Sequence, residues 1–261
     1  ELFISLRHLK AKRSQKFISL NTWISVGGVA LGVMALIVVI AVMSGFSKDL
    51  RDKILGTNSH VVVTNITRTG MEDYEAIIEK VIKAEGVNAA APFILNQVML
   101  TYGGNAAGVV VRGVDPVREA GVSDLEKNLV QGSLEMLGRP EKSSGKSRRD
   151  GIILGKELAR RLGVQHDDTV SIVAPASRVT PMGLIPKIKL FKVVGFFESG
   201  MFEYDSNLAF ISISSAQKFF SMKGKVSGIE IQVEDIEQAD QVAAEIQHSL
   251  GFPYYARDWM Q

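Results

Sequence analysis

The sequence contains no cysteine, so disulfide bonds and thiolate-bound metal ions are excluded. Histidine is also scarce, and the four histidines share no spacing that is typical of a metal site. The net charge is only +2, and the chain after Ser19 is slightly acidic. A nucleic-acid-binding face needs a surplus of basic residues on the folded part, so no nucleic-acid partner is expected.

Catalytic motifs are missing as well. Gly145-Lys146-Ser147 resembles the end of a phosphate-binding loop, but Pro140 occupies the position of that motif's first glycine. No Ser/His/Asp arrangement can be argued from the order of residues alone. We therefore predict a chain that is not an enzyme, with no catalytic residue, no metal site and no cofactor.

Charge is absent from one long stretch near the N-terminus. No charged residue occurs between Phe17 and Ser47, and residues 22–46 are mostly apolar. About 20 such residues in a helix cross a bilayer core of roughly 30 Å. We predict a transmembrane helix over residues 22–46. The alternatives are a buried core helix and a cleaved signal peptide, whose apolar region is shorter.

Five basic residues precede this helix, with Glu1 as the only acid. Since positively charged flanks stay on the cytoplasmic side, we predict a cytoplasmic N-terminus and an extracytoplasmic main domain. The bases alternate with apolar residues, so residues 1–21 are interpreted as a cytoplasmic amphipathic segment on the membrane surface. Gly28 and Gly32 form a small-xxx-small pair that permits close helix packing, although glycine is also simply common in membrane helices.

The remaining chain reads as α+β. Tyr74, Ile77, Ile78, Val81 and Ile82 recur at helical spacing and predict a helix over residues 72–85 that ends before Gly86. The same pattern returns at 239–250, followed by Gly251. Strand-like runs lie beside both helices, at 59–65 and 228–233. Strand-like runs at Gln97–Tyr102 and Ala107–Val114 flank Gly103-Gly104-Asn105 and predict a hairpin. We predict one α+β subdomain, built from residues 47–114 and 206–261, and an inserted β-rich subdomain over residues 115–205.

Within the insertion, an unusually apolar loop is predicted at residues 178–187. It joins strand-like runs at 169–174 and 187–194, and its prolines resist pairing into a sheet. A projecting loop with apolar side chains suits binding to another protein, whereas a loop folded back on its own core is the alternative. The segment consists of Arg178, Val179, Thr180, Pro181, Met182, Gly183, Leu184, Ile185, Pro186 and Lys187.

Several runs together resemble the lipoprotein-releasing (Lol) ABC transporter permeases of the LolC/LolE family. Most characteristic are Val111-Arg-Gly-Val-Asp-Pro116, Ile153-Leu-Gly-Lys-Glu-Leu-Ala159 and Gly195-Phe-Phe-Glu-Ser-Gly200. Thr180-Pro-Met-Gly-Leu-Ile-Pro186 is similar to the protruding hook of LolC-type subunits. The resemblance covers nearly the whole chain and implies the first membrane helix and the MacB-like periplasmic core of an inner-membrane permease.

This resemblance implies a function and partners. The hook would bind the periplasmic carrier LolA, and Lys187 and Lys189 are expected beside its tip, where they would meet acidic groups on the carrier's rim. Val39, Met43 and Phe46 would face lipoprotein acyl chains. A separate LolD-like subunit would hydrolyse ATP, and a second permease subunit, identical or LolE-like, would complete the transporter. The alternatives are a related MacB/FtsX-type permease, for efflux or cell division, and a single-span periplasmic sensor or binding domain.

Overall fold

The computed structural model describes residues 16–57, 59–67, 70–138, 141–142, 148–180 and 183–259. The chain divides into two units, residues 1–52 and 53–261, and each is described by itself. Most of the predicted amphipathic segment, residues 1–15, lies outside the described residues.

The first unit is dominated by one long helix, α1 (Lys16–Thr57). The most apolar 18-residue window of its segment Leu20–Asp49 has a mean hydropathy of 2.8, and none of that window is buried. The segment is long and apolar enough to cross a membrane, and it contains the predicted span of residues 22–46.

The second unit is rich in strands. Its strands are β1 (Val61–Asn65), β2 (Val87–Tyr102), β3 (Asn105–Val114), β4 (Leu129–Gln131), β5 (Glu141–Lys142), β6 (Arg148–Gly155), β7 (Thr169–Thr180), β8 (Gly183–Phe197), β9 (Leu208–Ser212), β10 (Gly228–Val233) and β11 (Tyr254–Asp258). Its helices are α2 (Tyr74–Val81), α3 (Glu135–Gly138), α4 (Lys156–Leu162), α5 (Phe202–Asn207), α6 (Ile213–Phe220) and α7 (Ala239–Leu250). Two 3-10 turns complete it, Glu119–Gly121 and Ile236–Gln238.

Six of the strands pair into a closed ring. β2 pairs with β3, β3 with β9, β9 with β6, β6 with β8, β8 with β7, and β7 returns to β2. Buried side chains such as Leu100, Ile172 and Phe191 come from strands of this ring and belong to one continuous core. The ring is therefore a packed scaffold, in which each strand is fixed by two neighbours.

Strand β2 belongs to two sets of strands at once. Its first half pairs with β10, which leads on to β1 and β11, and its second half pairs with β7. We predicted only Gln97–Tyr102 as a strand. The missed half contains Ala89, Ala90, Ala91 and Pro92, which have weak strand propensity, so non-local pairing overrides the local preference there.

The two longest predicted helices of the domain are confirmed as α2 and α7. Ile77, Ile78 and Val81 of α2 are buried, as are four apolar residues of α7. Ile82, which was assigned to the same buried face, follows the last residue of α2 and is 48% exposed, so this part of the prediction is wrong. Gly86 and Gly251 follow the helices with positive φ, as the sequence indicated.

The sheet runs across the predicted subdomain boundaries. Strands from both chain ends, β1, β10 and β11, extend it from β2, while β6 and β8 of the predicted insertion join it through β9. The α+β fold class is confirmed by these elements. The division into a subdomain of residues 47–114 and 206–261 and an inserted β-rich subdomain of residues 115–205 stays a prediction; residues 53–261 form one compact unit.

Candidate functional site

The apolar segment at residues 178–187 forms the end of a long hairpin. β7 and β8 pair from Thr169↔Lys192 to Thr180↔Gly183, and Pro181 and Met182 at the turn lie outside the described residues. The expectation of a strand-free loop is therefore wrong for most of the segment. The backbones of residues 178–180 and 183–185 are paired strand residues.

Prolines are tolerated here because the hairpin contains an irregularity. Between Ala174↔Lys187 and Arg178↔Ile185, three residues of β7 stand opposite one residue of β8. Pro175 and Pro186 both fall in this stretch. A proline lacks the N–H that a regular ladder needs, so it fits at a bulge without losing a ladder bond.

The outer part of the hairpin leaves the ring. The pairing of β7 with β2 ends at Val173, and the pairing of β8 with β6 begins at Phe191. Within the described residues, the arms over 174–180 and 183–190 have no other strand partner. We call these two arms the stem. A two-stranded stem beyond the ring agrees with the prediction that this segment projects.

The described part of the stem has two different faces. Pro186, Ile188 and Leu190 are exposed, with Ile188 at 60% and Leu190 at 47%, whereas Lys187 and Lys189 are only partly exposed. The alternation of lysine with apolar residues follows the period of two of a strand. We call Pro186, Ile188 and Leu190 the outer face of the stem. Sequence reasoning missed Ile188 and Leu190, although their alternation with the lysines was visible.

Both lysines point at the body of the domain. The Lys189 Nζ forms an ion pair with Asp150 of β6 and lies 4.9 Å from the centre of the Phe191 ring. The Lys187 Nζ donates hydrogen bonds of 3.1 Å to the carbonyl of Lys218 and to the Ser221 hydroxyl. The predicted contact of Lys189 with a carrier's rim stays a prediction, and the structure shows its ammonium group already engaged.

A cleft opens where the stem separates from β2 and β3. Its volume is about 730 Å³, and Met99 beside it is 50% exposed. The described lining is mainly apolar or small, and none of the lining residues that the structure describes is charged. It consists of Gln97, Val98, Met99, Gly108, Val109, Val110, Val173, Ala174, Pro186 and Asn207.

The candidate residues on α1 are all exposed. Val39, Met43 and Phe46 have relative exposures of 60–63%. A methyl group added at Gly28 or Gly32 would meet no other described atom within 4 Å. These residues are thus available to lipid or to another helix, and their predicted roles stay predictions.

A buried charge cluster lies in the body of the domain, between β3, β10 and the turn at 119–121. The Arg112 guanidinium pairs with Glu230 and, at 3.5 Å, with Glu119, whose carboxylate also accepts a 2.7 Å hydrogen bond from Ser123. Burial and the neighbouring Glu119 raise the pKa of Glu230 to about 7, although Arg112 acts in the opposite direction. One guanidinium therefore serves two buried carboxyl groups.

In the part of the chain that the structure describes, no three His, Asp or Glu side chains are grouped so that they could hold a metal ion. The candidate site comprises the stem, its apolar outer face and the adjoining cleft.

Comparison with known proteins agrees with the resemblance seen in the sequence. The chain is 34% identical over 260 residues to the lipoprotein-releasing system transmembrane protein LolC of Neisseria meningitidis serogroup B, covering 99% of this chain and 60% of that protein. It is 36% identical to LolC of Xylella fastidiosa over 98% of this chain and 59% of the relative. LolE of Haemophilus influenzae is 23% identical over 99% of this chain and 61% of that protein. The chain thus spans about 60% of the length of these relatives, and the predicted resemblance to Lol permeases is confirmed.

A solved structure shares the fold. The extracellular domain of the noncanonic ABC-type transporter YknZ from Gram-positive bacteria superposes with a TM-score of 0.50 at 11% identity, covering 77% of this chain and 99% of that one. A family model described as the MacB-like periplasmic core domain matches residues 22–249. The chain belongs to the MacB-like periplasmic core domain family.

Proposed function

We propose that this chain is part of a permease subunit of an ABC transporter that releases lipoproteins from the outer leaflet of the inner membrane and passes them to the periplasmic carrier LolA. The observation that carries the proposal is the stem that projects from the ring. A projecting arm with an apolar face suits insertion into an apolar cavity of another protein. The similarity to LolC proteins along 98–99% of the chain supports the same assignment.

The proposal gives the regions of the chain different tasks. The hook, residues 178–187, binds LolA, and the exposed apolar residues Val39, Met43 and Phe46 of α1 contact the acyl chains of the lipoprotein. The N-terminus is cytoplasmic and the domain is periplasmic, because five bases precede the apolar helix. This chain does not hydrolyse ATP; a LolD-like subunit does, and a second permease subunit, identical or LolE-like, completes the membrane part.

The decisive test is the substitution Met182→Asp at the tip of the hook. If the tip enters an apolar cavity of LolA, a carboxylate there loses its hydration, and binding should weaken by at least about 100-fold. The measurement is a calorimetric titration of the 261-residue chain in detergent with purified LolA. Met136→Asp is the matched control, because Met136 is also an exposed methionine, at 40%, but lies in α3 outside the hairpin.

Unchanged affinity of Met182→Asp would remove the hook from the proposal. Thermal melts of both variants complete the test. A large fall in melting temperature for Met182→Asp alone would show that the tip packs on the domain, as in the alternative of a loop folded on its own core.

A further inference from the structure

The stem needs support from the rest of the domain to keep one orientation, because a two-stranded ribbon alone is only marginally stable in water. Its arms have no strand partner beyond the ring among the described residues. Its backbone therefore does not fix the angle at which it leaves the domain. Side chains that reach from the stem to the body can do so, and the described part of the stem has two of them, Lys187 and Lys189.

The first connection joins Lys189 to Asp150. The two side chains are 29% and 25% exposed, so their ion pair is shielded from solvent more than a surface pair. Asp150 lies on β6, which is a strand of the ring, and Ser215 of α6 helps Lys189 to lower the pKa of its carboxyl group. The carboxylate is thus held by the body, and the stem attaches to it through the lysine.

The second connection joins Lys187 to the C-terminal end of α6. Its Nζ bonds the Lys218 carbonyl and the Ser221 hydroxyl, and lies 5.7 Å from the centre of the Phe219 ring. The last carbonyls of a helix carry partial negative charge, so an ammonium group is favoured there. Phe219 is buried in the core, which makes this end of the helix a fixed support.

We propose that Lys187 and Lys189 are positioning residues that clamp the stem to the body and so set the direction in which the hook projects. We call the two lysines and their partners the lysine clamp. This inference rests on the proposed function for its effect on LolA. Lys189 and Asp150 lie outside the hook, so they change LolA binding through the orientation of the hook and without touching the carrier, whereas Lys187 is itself the last residue of the hook. The same two lysines were expected from sequence to meet acidic groups on the carrier's rim, so the two roles can be separated by experiment.

The orientation of the stem can be measured directly, because the chain has no cysteine of its own. Spin labels at Asn88→Cys on β2 and Thr180→Cys at the end of the stem report a distance by electron double resonance. In the clamp variants Lys189→Met, Asp150→Asn and Lys187→Met the distance distribution should broaden or shift. Lys189→Arg should restore the wild-type distribution, since it keeps the ion pair. Lys156→Met is the control, because it removes a lysine ion pair with Glu198 that lies outside the stem.

Binding to LolA is measured with unlabelled chains in detergent. Lys189→Met and Asp150→Asn should each weaken binding by roughly tenfold, and the double variant should be no weaker than either single one, because all three lose the same contact. Asp150 holds the body end of the clamp, so its effect on LolA must pass through the stem.

The inference is overturned if Lys189→Met weakens LolA binding while Asp150→Asn binds normally and the distance distributions stay unchanged; Lys189 would then touch the carrier itself. If Asp150→Asn does not fold, the two lysine variants and the Lys189→Arg rescue decide the distance test alone. Failure of the wild-type chain to bind LolA would contradict the proposed function, and the distances would still judge the clamp.

Discussion

The domain contains two long antiparallel hairpins that are built alike and held differently. β2 and β3 pair from Phe93↔Val114 to Tyr102↔Asn105, and their outer edges meet β10, β7 and β9. β7 and β8 pair over a similar length, but among the described residues the stem pairs only between its own two strands and is joined to the body by the lysine clamp. The β2–β3 hairpin is thus part of the scaffold, whereas the outer part of the β7–β8 hairpin is attached to the scaffold at one end.

The two hairpins differ in the number of other strands that pair with them, and this number is set by contacts between distant residues and not by the turns of the hairpins. The free edges of a two-stranded arm expose N–H and C=O groups that could pair with another chain. Pro175 and Pro186 interrupt those edges at the irregular stretch, which discourages unwanted pairing. An arm of this kind can remain available for a specific partner, whereas the β2–β3 hairpin is committed to the core.

The largest expected effect separates the two hairpins by stability. Leu100 of β2 is fully buried, and Leu100→Ala should lower the free energy of unfolding by about 2–5 kcal/mol because it leaves a cavity. Ile188 of the stem is 60% exposed, and Ile188→Ala should change it by less than about 0.5 kcal/mol. Equilibrium urea unfolding of both variants in detergent measures the contrast, and similar losses would show that the stem belongs to the core.

Much of the domain was predictable because its signals are local. Helical spacing identified α2 and α7, and glycines marked their ends. The turn at Gly103 and Gly104 followed from two residues that accept positive φ. The position of the candidate site followed in the same way, from apolar residues bracketed by prolines between two strand-like runs.

What could not be predicted depends on contacts between distant residues. The closed ring requires β7 to meet β2, about 70 residues earlier, and no local pattern records that pairing. The lysine clamp depends on Asp150 and Ser221, which come from β6 and from the end of α6. The alternation of lysine with apolar residues in the sequence is compatible with both lysines on one face of a strand, but it could not show that this face meets the body.

A second prediction concerns the body alone and uses its buried charge cluster. The pKa of Glu230 is raised from an ordinary value of 4.5 to about 7 in the folded domain. The folded state therefore binds a proton more tightly than the unfolded state, and the resulting stability is present below pH 4.5 and lost as pH rises through about 7. Between pH 5.5 and 8.5 the free energy of unfolding should fall by about 2 kcal/mol from this group.

Glu230→Gln removes the titrating group and should remove this fall. The comparison is made at each pH between wild type and variant, so that His60, whose pKa is lowered by burial, contributes equally to both. Urea unfolding in detergent at several pH values measures it. Parallel pH profiles for the two chains would show that Glu230 is ionised throughout, with Arg112 prevailing over burial.

The smallest effect is expected at the stem over the same pH range. Burial raises the pKa of Asp150, but hydrogen bonds from Lys189 and Ser215 outweigh burial and leave it below its ordinary 3.8. A lowered carboxyl pKa gives stability that is present above 3.8 and is lost only as pH falls through the folded value, so the ion pair of Asp150 with Lys189 should stay intact from pH 5.5 to 8.5. The distance between labels at Asn88→Cys and Thr180→Cys should then remain constant while the body loses about 2 kcal/mol through Glu230. A distance distribution that broadens toward pH 8.5 would mean that the direction of the stem depends on the stability of the body.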